Sequence, residues 1–207
     1  MSRQFQDHPG PTVGEGTWRK RDLDEYDTWY MHLILWDPDD LEIAGSYRLG
    51  YSRKIIETRG HSGLYSQGFY EFTATMKELL PQSLELGRSF VQPQYWGKRS
   101  LDYLWVGIGA LLRKHSKYRY LFGSVSISNA LPPEAQAALV KFYSTYFPAQ
   151  TDMATANIPY RLNTYSTVPN FTGTNYTNEF VLLKSYLANM GCSIPTLYKQ
   201  YSELCEP

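Results

Sequence analysis

The most constraining stretch of this chain runs from Ser83 to Ser128, where a strand pattern, a helix pattern and a second strand pattern follow in order. SLELGRSFV, Ser83 to Val91, reads as a strand. Leu101, Leu104, Trp105, Ile108, Leu111 and Leu112 then fall on one face at helical spacing. Ser100 is placed as the N-cap of that helix and Asp102 in its first turn. YRYLFGSVSIS, Tyr118 to Ser128, reads as the next strand. Upstream, Thr28 to Asp37 reads as a buried strand, Pro38 to Asp40 as a turn and Glu42 to Tyr51 as a second strand, which together form an antiparallel hairpin. A hairpin followed by a strand–helix alternation predicts an α/β fold with a mixed sheet and helices on its faces.

The remaining elements are helical. Phe69 to Leu80 is expected to be a short helix. Pro132 and Pro133 open a helix with Ala135, Ala138, Leu139, Phe142 and Tyr146 on one face. Phe180, Leu183, Leu187 and Met190 mark another, closed by Gly191, and Leu197, Tyr198, Tyr201 and Leu204 a last one after Pro195. Residues 1–17 read as a flexible lead-in, 18–147 as the core and 148–207 as a helical C-terminal extension of the same domain.

Composition excludes several classes. Hydrophobic residues at 43% and aromatic residues at 15% exclude a disordered chain. Lys and Arg number 20, as do Asp and Glu, which argues against a general nucleic-acid binder. Cys192 and Cys205 form no metal-binding or disulfide pattern, so no metal site is expected and a cytoplasmic setting is. No apolar run is long enough to span a bilayer, so any contact with the inner membrane is peripheral.

The chemistry concentrates in LELGRSFVQPQYWGKRSLDYLW, Leu84 to Trp105, where a strand ends and a helix begins. Free N–H groups at a helix start favour an anion or a polar cofactor arm. Val91, Pro93, Tyr95 and Gly97 follow the Val-x-Pro-x-Tyr and Gly-turn pattern of the acyl-CoA loop, so the segment resembles the GNAT acyltransferase superfamily. Arg99 and Ser100 stand where most acetyltransferases have a second Gly. A Lys98–Arg99 turn suits the single phosphate of an acidic acyl carrier protein better than the pyrophosphate of CoA.

The rows GEGTWRKRDLDEYDTWYMHLILWD, AGSYRLG, LELGRSFVQPQYW, LDYLWVGI and YRYLFGSVSISN more specifically resemble acyl-carrier-protein-dependent N-acyltransferases of the ornithine-lipid and glycine-lipid (hemolysin-like) type. A related pattern marks acyl-homoserine-lactone synthases, and reads here as Asp24 and Asp27, Gly45 and Arg48, Glu85 and Arg88.

The resemblance implies a splayed GNAT-like sheet and transfer of a long (3-hydroxy)acyl chain to the α-amine of an amino acid such as ornithine or glycine. The donor is the acyl-4′-phosphopantetheine of acyl carrier protein, or acyl-CoA, with no permanently bound cofactor. It also implies a helix upstream of Gly14 and a strand pair beyond Pro207, so the chain is expected to be truncated. The alternatives are a synthase that acylates S-adenosylmethionine, a non-catalytic GNAT-like module binding a carrier protein or membrane, and an α/β domain of unrelated role.

Within that frame Glu85 and Arg88 are the catalytic candidates, Glu85 as base or water-ordering group. Three residues apart, they face opposite sides of a regular strand unless a β-bulge at Gly87 re-aims one. A plain Glu85–Arg88 or Glu85–Arg48 ion pair is the competing reading. Arg48 either pairs with the acidic run or binds the acceptor carboxylate. Asp24, Asp27, Arg48, Phe69, Val91 and Asn129 are the substrate-binding candidates, and Gly97, Lys98 and Arg99 those for carrier protein or pantetheine. His32 and Asp37 match an O-acyltransferase spacing but point to opposite faces of a strand, and Cys192 has no His partner nearby in sequence.

Overall fold

Strand β1 (Met31–Asp37) pairs antiparallel with β2 (Glu42–Tyr51), as the hairpin pattern requires. The computed structural model describes residues 23–149, 152–161 and 168–204, so the lead-in expected over residues 1–17 lies outside them. The described residues form two units, one of 23–124 with Asp152–Ile158, the other of 125–149, 159–161 and 168–204.

In the first unit, α1 (Ser52–Arg59) follows β2 directly, then β3 (Tyr70–Phe72), α2 (Ala74–Leu79), β4 (Ser83–Val91), α3 (Ser100–Lys114) and β5 (Tyr120–Phe122). The sheet order is β1-β2-β4-β5, antiparallel except for the parallel β4–β5 pair, which is the mixed sheet expected of the chain. Leu104 and Ile108 of α3 are buried, and Trp105 meets Tyr47 of β2 edge to face. On the other face Tyr30, Ile55, Leu64, Phe72, Met76 and Leu80 form a second apolar cluster.

Two features of β4 position the site. Its pairing with β5 covers only Ser83, Leu84 and Glu85, so from Gly87 onward β2 is its sole ladder partner among the described residues. In the β2 ladder, three residues from Ser46 to Arg48 oppose four from Gly87 to Phe90. The extra residue is a β-bulge, and Arg88 rather than Gly87 takes the left-handed conformation, with φ +44°. That conformation is costly for a residue with a Cβ and here coincides with an ion pair.

The strand expected over Tyr118–Ser128 is shorter, because residues 123–128 have no ladder pairing. A Cβ at Gly123 would lie 2.1 Å from the Leu86 carbonyl oxygen, so only Gly lets the chain leave β4 this closely. Gly123→Ala is therefore expected to cost about 1–3 kcal/mol or more. This is a fall in Tm of at least roughly 2–4 °C by calorimetry.

The helix expected over Phe69–Leu80 is corrected to β3 and α2. Thr73 caps α2 by accepting a hydrogen bond from the Met76 N–H, and Tyr70–Phe72 pair with β6 (Ala154–Ala156). Ser100 is the first residue of α3 and not its cap; its hydroxyl donates to the Tyr95 carbonyl. Residues 25–28 form a 3-10 turn ahead of β1.

The second unit contains α4 (Pro133–Tyr146), α5 (Tyr176–Ala188) and α6 (Thr196–Ser202). Phe142 at its centre touches the rings of Tyr143, Tyr146, Phe171, Tyr176 and Phe180. Gly191 closes α5 at φ +68°. Leu204 is exposed, contrary to the expected apolar face.

Candidate active site

The β1–β2–β4 register sets Arg48 in the middle of one sheet face, opposite His32 on one side and Gly87 on the other. Arg48 is 1% exposed. Its Nη1 lies 2.7 Å from Asp24 Oδ1 and 3.1 Å from Asp27 Oδ1. The bulged Arg88 reaches the other oxygen of Asp24 at 3.2 Å. The acidic run presents both carboxylates because Asp24 caps the 3-10 turn reciprocally with Asp27: the Asp24 N–H donates to Asp27 Oδ2 at 2.9 Å. His32 Nε2 stands 3.6 Å from Asp27 Oδ1.

Rings complete the shell. The Arg48 guanidinium carbon lies 5.6, 5.2 and 5.0 Å from the ring centroids of Tyr26, Tyr30 and Tyr65. Its Nε and Nη2 are buried without a hydrogen-bond partner among the described residues. Such atoms are suited to a bidentate carboxylate.

Glu85 is also 1% exposed. Its carboxylate accepts from the Tyr30 hydroxyl, from the Tyr65 N–H at 3.1 Å and from the Ser66 N–H at 2.6 Å. Gly50 sits opposite Glu85, and a Cβ there would meet the Tyr30 ring at 2.4 Å, so this Gly makes room for the ring. Burial, and then the adjacent Glu85 charge, push the Tyr30 hydroxyl well above its ordinary range, so it stays a donor. Glu85 therefore sits in a fixed cradle of three donors, tied through Tyr30 and Tyr65 to the Arg48 cluster.

Burial alone would raise the Asp27 carboxyl, but the hydrogen bond from the Asp24 backbone and the Arg48 guanidinium outweigh it and hold it below the usual value. A carboxyl with a folded pKa below its unfolded value of about 3.9 contributes stability above that pH. That stability is lost as the pH falls through the folded value. Asp27→Asn is expected to flatten this part of the acid limb when unfolding free energies from urea titrations are compared at neutral and acid pH.

Among the remaining expected site residues, Phe69 is half-buried and meets the Tyr65 ring at 5.2 Å, one step from the Arg48 shell. Val91 ends β4, and its carbonyl accepts from Trp96 Nε1 at 2.8 Å. Gly97 has φ +73°, Lys98 Nζ stands 5.0 Å over the Tyr95 ring, and Arg99 pairs with Asp102 at 3.2 Å. Those three residues are exposed at the start of α3, whose first turn has no side-chain cap. Asn129 lies in the second unit and is exposed. His32 and Asp37 serve different ends of β1, Asp37 accepting from the Tyr95 hydroxyl at 2.7 Å.

Sequence reasoning missed Tyr30, Tyr65 and Ser66, the donors to Glu85. The only available signal was the density of Tyr beside the acidic run, where Tyr26 and Tyr30 flank Asp27.

Residues 8–106 match the acetyltransferase (GNAT) domain family. Over those residues the chain is similar to a GNAT acetyltransferase domain. A glycine N(alpha)-acyltransferase of Bacteroides thetaiotaomicron is 32% identical over 206 residues, 93% of this chain and 61% of that protein. A glycine N(alpha)-acyltransferase of Phocaeicola vulgatus is 28% identical over 206 residues, 93% of this chain and 63% of that protein. An L-ornithine N(alpha)-acyltransferase of Brucella abortus is 32% identical over 157 residues, 72% of this chain and 54% of that protein. The chain thus spans between 54% and 63% of the length of these relatives. No solved structure matches it at significance. The mixed sheet flanked by helices is consistent with an α/β GNAT fold, and Glu85 and Arg88 lie on β4, with Arg48 on the neighbouring β2 and Asp24 bridging the two arginines.

Proposed function

We propose that this GNAT domain transfers a long acyl chain from a thioester to the α-amine of a small amino acid, giving a lyso-aminolipid. The observation that carries the reading is the buried Glu85 cradle, at the last residue of β4 that pairs with β5, joined to the carboxylate–guanidinium cluster beside the stretch of β4 that has no β5 partner among the described residues. The similar proteins support it, and they favour glycine as acceptor: the glycine enzymes align over 93% of the chain and the ornithine enzyme of Brucella abortus over 72%.

The reaction is direct aminolysis. The amine attacks the thioester carbonyl, a C–N bond forms, the C–S bond breaks, and the proton lost by the nitrogen ends on the departing thiolate, which leaves as the thiol. The ammonium proton must first be removed, and Glu85, directly or through a water it orders, is the group assigned to it. Arg48 Nε and Nη2 are assigned to the acceptor carboxylate. The donor is assigned as acyl carrier protein, with Gly97, Lys98 and Arg99 at its phosphopantetheine, and acyl-CoA as the alternative. The amphipathic product makes peripheral contact with the inner membrane a further expectation; among the described residues no helix is long and apolar enough to cross it.

Expression of the chain in a host without aminolipids tests the reading. Lipid extracts are expected to contain N-acylglycine by mass spectrometry. N-acylornithine alone would move the acceptor assignment, and no new N-acyl amino acid would overturn the proposal.

A further inference from the structure

Beside Glu85 the first unit holds a cavity of about 370 Å³ to which nothing above assigns an occupant. It lies between β5 and the β3–β6 ribbon, with Phe72, Met76, Leu79, Phe122 and Met153 in its wall. We propose that this cavity holds the distal methylenes of the acyl chain and that its wall sets the preferred chain length. The inference rests on the transfer reading given above.

Three observations select an alkyl chain over the amino acid. No Asp, Glu, Lys, Arg or His lines the cavity, so an ammonium or carboxylate would lose its hydration without a partner, whereas methylenes gain by leaving water. The volume falls within the range of small-molecule sites, and its mostly apolar wall with a few hydroxyls has their character. The cavity adjoins the Glu85 cradle: Ser66 lines it while its N–H holds Glu85 at 2.6 Å, and Phe122 of its wall is the register partner of Glu85. Met76 and Met153 add flexible thioethers, which fit a chain of variable shape.

Leu79→Trp narrows the cavity from a half-buried position, and Met76→Ala enlarges it. Each methylene excluded from an apolar site lowers relative binding about fourfold. Leu79→Trp, displacing two or three methylenes, is therefore expected to shift the kcat/KM ratio of dodecanoyl over hexadecanoyl thioester upward by about tenfold or more. Met76→Ala is expected to shift it the other way, and decides the matter if Leu79→Trp fails to fold by circular dichroism. An unchanged ratio in the folded variants overturns the inference.

If the wild type forms no amide with any donor, the transfer reading fails, and binding of hexadecyl pantetheine thioether judges the cavity alone. Binding weakened about tenfold by Leu79→Trp, or altered by Met76→Ala, supports an alkyl site. No binding, or binding indifferent to both, overturns it.

Discussion

Glu85→Gln is expected to lower kcat/KM for amide formation by about 10²- to 10⁴-fold, the range lost with a general acid–base group. The substitution keeps the side chain's shape and removes its charge. It also turns an NH₂ group toward part of a cradle made of donors: the Tyr30 hydroxyl and the Tyr65 and Ser66 N–H groups. At least one buried donor is left unpaired, which costs about 1–3 kcal/mol. For a chain of this size that is a fall in Tm of roughly 2–12 °C. Kinetics separate the two effects. A purely structural Glu85 loses activity only as the folded fraction falls. A catalytic Glu85 loses kcat at temperatures where the variant is fully folded, with little change in KM for the amino acid.

Arg48→Met is expected to be the most destabilising single change in the sheet. The guanidinium is 1% exposed and binds two carboxylates, Asp24 at 2.7 Å and Asp27 at 3.1 Å. Removing one partner of a buried ion pair costs about 3–5 kcal/mol because the other charge is left in the protein. Asp24 keeps Arg88 at 3.2 Å, whereas among the described residues the ion pair left to Asp27 is with His32 at 3.6 Å. The expected fall in Tm is roughly 6–20 °C. Adding Asp27→Asn is expected to recover part of it, since the stranded carboxylate is gone. A fall of the same size in both variants would show that ring packing around Arg48, and not its charge, carries the stability.

Elements whose pattern is complete within a few residues were legible in advance. β2 and β4 have the boundaries that their alternation and flanking turns imply, and α3 follows its apolar face. A bulge at Gly87 was legible as an option in Glu85-Leu-Gly-Arg88, because two charges three apart share one strand face only with such a bulge. Its left-handed residue was not, since the cost to Arg88 accompanies an ion pair to Asp24, 64 positions upstream. β3 was hidden because its partner, β6, lies about eighty residues on. β5 was overread because the pattern of residues 123–128 is that of a strand, while a ladder needs a neighbour. The donors to Glu85 come from 55, 20 and 19 residues away, so no local motif joins them. Pairing of Arg48 with the acidic run was legible as one of two readings, because a mid-strand charge on a covered face requires a counter-charge from the protein or from a ligand. The cage of tyrosines around it was not.

A single-turnover reaction puts the account to its most direct test. Purified protein in excess over a long-chain acyl carrier protein thioester is mixed with glycine, and free thiol and amide are followed together. Direct aminolysis predicts one N-acylglycine for each thiol released, at a rate that rises with glycine concentration. Thiol released at the same rate with and without glycine, or released with free fatty acid as the only acyl product, would contradict it.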